Sequence, residues 1–334
     1  MATIYDVAKE AKVSPKTVAR ILSGEEGRPY NRQRVMAAAQ KLGYVRNQQA
    51  SNFRFGKSGL LGLIVPDIKN PYYPIFFQAV HDIANTYGYQ ILLSSTFGRK
   101  FEEARALQMF EVNRVEGILL NAAEGESDED CDVILTRFLN RGVPVIVAGR
   151  PTRSVQADEI VLKNKAGFEK STSYLFKIGR RRIAFVSGSR TAVATLERFE
   201  GYAAALERHK SPLQPAYVSY GDFTPESGFQ QTLRLLALPT PPDAIVAAND
   251  VLALGALKAC DNRGLRVPKD VAVVGCDDIP LAQLVSPALT TLRQPTEQTA
   301  RDCVTLLLER IRNRDVLNPR KLVYESELLI RDSA

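Results

Sequence analysis

The chain has 334 residues, 45% of them hydrophobic, enough for two or three core-forming units rather than one. Its formal net charge is +7, and all of it is local: residues 1–59 carry 11 Lys/Arg against 4 Asp/Glu, while the other 275 residues balance 33 against 33. No apolar run has the length of a membrane span, no apolar signal core opens the chain, and Cys131, Cys260, Cys276 and Cys303 lack metal or disulfide spacing, so a cytoplasmic protein with reduced thiols and neither metal nor cofactor is expected.

The first predicted element follows Thr3. Thr3 and Asp6 have the form of a capping box, and Ile4, Val7, Ala8 and Ala11 recur at helical spacing. A second helix starts at once, with Ser14 as N-cap, Pro15 at the first helical position and Gly24 at the end. Its apolar face is Val18, Ile21 and Leu22. Two helices separated only by Lys12 and Val13 form a helix-turn-helix, whose second helix suits a DNA major groove. An ordinary helical hairpin is the competing reading, and the concentration of positive charge here argues against it. A third helix follows Pro29, with Val35, Ala38, Ala39 and Leu42 as its buried stripe and Gly43 as its stop.

Residues 47–59 are too short and polar to hold a helix alone, although Asn47 can cap one and Ala50 and Phe53 give it a minimal apolar face. Phe53 and Phe55 beside Arg54 and Lys57 favour a helix that forms only against a partner.

From Leu60 the pattern changes to strand–helix alternation. Apolar strands read L-L-G-L-I-V-P, Q-I-L-L-S-S, G-I-L-L-N and P-V-I-V-A-G, with helices near 73–87, 101–113 and 129–141. A second series reads R-I-A-F-V-S-G, A-Y-V-S-Y, D-A-I-V-A-A-N and V-A-V-V-G-C, with helices near 165–178, 195–209, 225–236 and 249–263. Such strands joined by helices indicate parallel sheets covered on both faces, and two series indicate two α/β lobes with a cleft between them. Ligands bind such sheets at the carboxyl ends of strands. The residues there are Asp67 to Tyr73, Asn121, Gly149–Arg150, Gly188–Arg198, Asp222–Phe223, Asn249–Asp250 and Asp277–Asp278. His81 and His209 fall within helical patterns and read as helix-surface residues.

Taken together, T-I-Y-D-V-A-K-E-A-K-V-S-P-K-T-V-A-R-I-L-S-G, N-Q-Q-A-S-N-F, I-V-P-D-I-K-N-P-Y-Y, E-R-F-E-G-Y, G-D-F-T-P-E-S-G, A-A-N-D-V-L-A-L-G, V-V-G-C-D-D-I and P-A-L-T-T-L-R-Q-P resemble, in order and spacing, the LacI/GalR family of bacterial transcription regulators. The resemblance covers essentially the whole chain. It implies an all-α helix-turn-helix domain at 1–46, a hinge helix at 47–59, and a periplasmic-binding-protein-like effector and dimerisation domain of parallel sheets at 60–334. The lobes are expected at about 60–161 with 293–322, and about 162–292 with 323–334.

By the same resemblance, Pro15, Lys16 and Arg20 face base edges, and Thr3, Tyr5, Ser14, Thr17 and Arg28 contact the DNA backbone. Asn47, Ala50, Phe53 and Arg54 belong to the hinge, with Phe53 as a minor-groove wedge where the family usually has leucine. Three departures are visible: Lys12 replaces a common turn glycine, Arg28 a capping serine and Arg46 a proline. The implied effector contacts are Tyr72, Tyr73, Asn121, Arg150, Arg198, Phe223, Asn249, Asp277 and Gln294. Gly149 stands where relatives often carry aspartate. With Arg150 and Arg198 this points to an anionic sugar acid or phosphosugar over a neutral sugar, unless acidic neighbours pair the arginines.

The expected protein is a homodimeric repressor on palindromic operator DNA, without the C-terminal heptad helix of the family's tetramers. Two alternatives stand beside it: a solute-binding protein of the same two-lobed fold, and a repressor that uses its ligand as co-repressor. An enzyme is not expected, because the chain has no P-loop, no G-x-S-x-G and no metal constellation.

Overall fold

The computed structural model describes residues 2–22, 29–44, 58–122, 129–150, 155–313 and 318–334. The chain divides into two compact units, Met1–Ser58 and Gly59–Ala334.

In the first unit α1 (Ile4–Ala11), α2 (Pro15–Leu22) and α3 (Pro29–Lys41) close around Val7, Val18 and Val35, all fully buried. The capping box is present: the Thr3 amide donates to Asp6 Oδ2 at 2.8 Å and the Asp6 amide to Thr3 Oγ1 at 3.3 Å. The Thr17 amide donates to Ser14 Oγ at 3.1 Å and starts α2. The tight turn between α1 and α2 needs a left-handed residue, and Lys12 supplies it with φ 50°. This conformation costs a side chain what it does not cost glycine.

The second unit holds two six-stranded sheets among the described residues. The first contains β1 (Leu60–Val65), β2 (Gln90–Ser95), β3 (Gly117–Asn121), β4 (Val145–Ala148), β5 (Asp158–Leu162) and β11 (Lys321–Tyr324), in the order β11-β5-β4-β3-β1-β2. The second contains β6 (Ile183–Ser187), β7 (Val218–Tyr220), β8 (Ala244–Ala247), β9 (Ala272–Asp277), β10 (Thr290–Arg293) and β12 (Glu327–Leu329), in the order β12-β10-β9-β8-β6-β7. Every pairing is parallel except β10 with β12. The helices are α4 (Tyr72–Thr86), α5 (Lys100–Val112), α6 (Glu129–Asn140), α7 (Asn164–Lys177), α8 (Val193–Arg208), α9 (Pro225–Leu236), α10 (Asp250–Asn262) and α11 (Thr296–Arg312). They cover the sheets, whose central strands are buried along nearly their whole length.

The main strands and helices fall where the apolar runs and caps placed them. Differences arise where a strand lacks an apolar run. β5 begins with two acidic residues and β10 with two threonines, and neither was visible as a strand. The C-terminal run L-V-Y-E-S-E-L-L-I has the composition of one strand but holds two, β11 and β12, in different sheets. The chain therefore passes between sheets three times: between β5 and α7, between β10 and α11, and between β11 and β12.

Lys12→Gly should stabilise the first unit by about 1 kcal/mol, since glycine takes this φ without a Cβ penalty. Denaturant titration of the helix signal in the full chain would show a higher midpoint. An unchanged or lower one would mean that the lysine side chain makes a compensating contact.

Candidate functional site

Two surfaces qualify, one in each unit. In the first, the buried stripe of α2 (Val18 and Ile21) fixes which side chains are left outside. Ser14, Lys16 and Arg20 are exposed and Pro15 and Thr17 half-buried; in α1 and its cap, Thr3 is exposed and Tyr5 is 65% exposed although aromatic. The Ser14 and Thr17 hydroxyls lie 2.8 Å apart, so the helix start presents hydroxyls beside amides, a combination that donates to phosphate oxygens. Arg28, Asn47, Ala50, Phe53 and Arg54 lie outside the described residues.

In the second unit a cavity of about 660 Å³ opens at the carboxyl ends of both sheets. Its wall includes Tyr72, Tyr73, Asn121, Arg150, Arg198, Phe223, Asn249, Asp277 and Gln294, all of them residues singled out in the sequence. It also includes Asn70, Phe97, Asn164 and Glu197, which were not singled out individually. Phe97 follows β2, so the strand-end rule could have found it. Asn164 follows β5, a strand the apolar pattern did not show.

Side chains reach the cavity for identifiable reasons. Asn249 caps α10, its Oδ1 accepting the Leu252 amide at 2.9 Å, which turns its amide NH₂ toward the remaining space. A Cβ on Gly188 would lie 2.3 Å from the Phe223 ring, so glycine there is what lets Phe223 pack at the wall. Tyr72, from the first lobe, packs against the core of the second, stacked parallel to Phe76 and edge-on to Tyr73. Burial raises the Tyr72 hydroxyl pKa, helped by the Asp277 carboxylate, so it stays a neutral donor.

Arg198 and Asp277 set the electrostatics. Arg198 is buried, with Nε donating to Asn164 Oδ1 at 3.1 Å and Nη1 to the Ala248 carbonyl at 2.8 Å. Among the described residues none accepts from Nη2. Asp277 ends β9 with φ 117°, an uncommon conformation for a residue with a side chain, and lines the cavity. Burial pushes its carboxyl up to about 6, while Arg198, Cys276 and a hydrogen bond from the Asn70 side chain pull it down. That last bond spans the cleft, since Asn70 follows β1 and Asp277 ends β9.

Arg150 behaves differently from the anion-binding group expected of it. Its side chain is only 2% exposed, with Nη1 2.8 Å from Glu103 and Nη2 3.7 Å from Asp132. The charge is therefore consumed inside the first lobe, as the pairing alternative foresaw. Gln294 is also engaged, donating to Cys276 Sγ at 3.3 Å and accepting from Ser326 Oγ at 3.0 Å. Gly149 has φ 84°, and a Cβ there would sit 3.2 Å from Asn121 Oδ1. Asp277 and Asp278 part ways: Asp278 is held by Arg293 and Arg331, at 2.8 and 2.5 Å, and only Asp277 faces the cavity.

Comparison with known proteins follows this division. Residues 3–47 match the family model described as bacterial regulatory proteins, lacI family, and residues 172–334 match that of a periplasmic binding protein-like domain. The chain is 30% identical to the HTH-type transcriptional repressor CytR of Escherichia coli, over 99% of this chain and 96% of that one. The structure of the transcriptional regulator CelR–cellobiose complex superposes with a TM-score of 0.74 at 32% identity, covering 100% of each chain. The lac repressor dimer bound to operator and the anti-inducer ONPF gives 0.83 at 27% identity, covering 99% of this chain and 98% of that one.

The raised Asp277 pKa has a definite sign. A carboxyl raised on folding favours the native state below its unfolded pKa, and that contribution is lost as pH rises through the folded value near 6. Asp277→Asn should therefore melt higher than wild type by about 2 °C or more at pH 7.5. The gap should close as pH falls from 6 to 4. Scanning calorimetry across this range checks it; a gap independent of pH would mean that the carboxylate carries no desolvation cost.

Proposed function

The chain belongs to the LacI family of bacterial regulatory proteins, and from that premise we propose a repressor whose hold on operator DNA is switched by a neutral polyhydroxylated metabolite in the cleft. Residues 1–46 carry the DNA contacts, 47–59 act as hinge with Phe53 as the minor-groove wedge, and 60–334 bind the effector and the dimer mate. Lys16 and Arg20 read bases from α2, while Tyr5, Ser14 and Thr17 hold the backbone in register. Two copies engage a palindromic operator, as one small helix-turn-helix domain offers too few contacts alone.

The observation that carries the effector reading is the charge balance of the cavity wall. Its described cations are Arg150, Arg198 and Lys321, against Asp67, Glu159, Glu197, Asp222 and Asp277. Arg150 is paired with Glu103, and Lys321 with Glu159 at 2.8 Å, which leaves Arg198 opposite the Asp277 carboxylate. An anion entering here meets more negative than available positive charge. Hydroxyls suit the site: Asp277 accepts, Arg198 Nη2 and the Asn249 amide donate, and Tyr72, Tyr73, Phe97 and Phe223 offer ring faces. The sugar acid or phosphosugar favoured by the sequence loses its main support, because that preference counted Arg150 as open. We assign the cleft no catalysis: only one of its adjacent aspartates faces the cavity, and its polar groups orient a ligand rather than activate one.

A thermal-shift screen should find its largest rise with a neutral sugar or nucleoside, not with uronates or phosphosugars. Affinity for the hit should fall up to tenfold per pH unit below about 6, where Asp277 takes up its proton. A phosphosugar or uronate as the tightest ligand would overturn the reading. Gel shifts with and without the hit then tell inducer from co-repressor.

Operator affinity should fall steeply with salt, and Lys16→Ala or Arg20→Ala should each cost ~1–3 kcal/mol on the specific site. Deleting residues 1–58 should abolish operator binding and leave effector binding intact. Specific operator binding by the truncated chain would show that the division of labour is wrong.

A further inference from the structure

Each of the three passages between the sheets contributes a buried polar side chain to one of two hydrogen-bonded runs, which end on Asp277 and Arg198, two groups that interact through their charges. Asn164 opens α7 directly after the first passage, Gln294 lies in the second and Ser326 in the third. Ser326 Oγ donates to Gln294 Oε1 at 3.0 Å, Gln294 Nε2 donates to Cys276 Sγ at 3.3 Å, and the Cys276 thiol donates to Asp277 Oδ1 at 3.7 Å. On the other side Glu197 Oε2 accepts from Asn164 Nδ2 at 2.8 Å, and Asn164 Oδ1 accepts from Arg198 Nε at 3.1 Å. With both ends of its amide engaged, Asn164 can hold Arg198 in one orientation only. The first and third passages are joined directly, the Lys163 amide donating to the Tyr324 carbonyl at 2.9 Å and Lys163 Nζ reaching Glu325 at 2.6 Å.

We propose that Asn164, Gln294 and Ser326 are positioning residues that couple the cavity pair Arg198 and Asp277 to all three connections between the lobes. Ser326 does not line the cavity, and acts on Asp277 only through Gln294 and Cys276. Buried polar groups linked in this way are costly when one link opens, so each run has two states, fully bonded or broken, rather than a continuum. Occupation of Asp277 by a ligand hydroxyl, or loss of the Asn70 bond across the cleft, is then felt at the connections about which the lobes turn. The proposal rests on the reading of Arg198 and Asp277 as effector contacts, but its test needs no effector.

The test compares the ligand-free full chain as wild type, Ser326→Ala and Ser326→Thr, by hydrogen exchange of backbone amides at 276–279 and of the Arg198 Nε–H by nitrogen-15 NMR. Ser326→Ala should speed exchange at both sites by roughly three- to tenfold, the effect of one net hydrogen bond. Ser326→Thr, which keeps the hydroxyl, should stay near wild type. Should Ser326→Ala not fold, Cys276→Ala cuts the same run in its middle and should speed exchange at Ser326 and Arg198 together. Faster exchange confined to 323–329, or a threonine variant as fast as the alanine one, would overturn the proposal. A failed ligand screen would instead sink the effector reading, so the two failures are distinguishable.

Discussion

The second unit depends on a carboxylate placed where burial disfavours its charge. Asp277 sits at the end of β9 in an uncommon backbone conformation, its carboxyl pushed up to about 6 by burial and drawn back by Arg198. Asp250, fully buried, is also raised, by desolvation and by Asp277, and is kept in place by Thr291 at 2.5 Å and the Ile279 amide at 2.9 Å. Two carboxyls in one low-dielectric corner are a cost the fold carries without repayment in core stability. On the proposed effector reading, a carboxylate held at the cavity wall gains an acceptor for ligand hydroxyls at a cost to the stability of the empty protein.

Much of this was legible in the sequence because its signals are local. Caps such as Thr3 with Asp6 and Ser14 with Pro15 act within three or four residues, and the apolar strands β1, β3, β6, β8 and β9 are buried on both faces, so no alternation obscures them. What escaped was tertiary. β5 and β10 are strands because neighbours pair with them, not because their residues are apolar. The last two strands read as one because only their partners assign them to different sheets.

The cavity wall divides in the same way. Position at a strand end is a topological property, and it led to Asp277, Asn249, Asn121 and Arg198 once the strands were known. The state of each side chain is not topological. Arg150 and Arg198 looked alike in the sequence as cations after strands. Glu103 from α5 and Asp132 from α6 turn the first into a structural pair, while Asn164 and Ala248 orient the second toward the cavity. Nothing near Arg150 in the chain announces Glu103.

The same distinction explains where polar groups are tolerated inside this molecule. Asp158 with Arg310 is a buried pair at 2.7 Å, further bonded to the Arg320 amide and the Asn318 carbonyl, and it closes the first lobe with its groups satisfied. Such a pair adds little net stability but leaves a single arrangement. At the passages the bonds run between different elements, Ser326 to Gln294 and Lys163 to Glu325, so that no one lobe holds all of them. A closed pair resists rearrangement because its partners travel together, whereas bonds between lobes would have to break or re-form if the lobes shifted. Each lobe keeps its own apolar core, and the buried polar groups Asn164, Gln294 and Ser326 stand where the chain crosses from one core to the other.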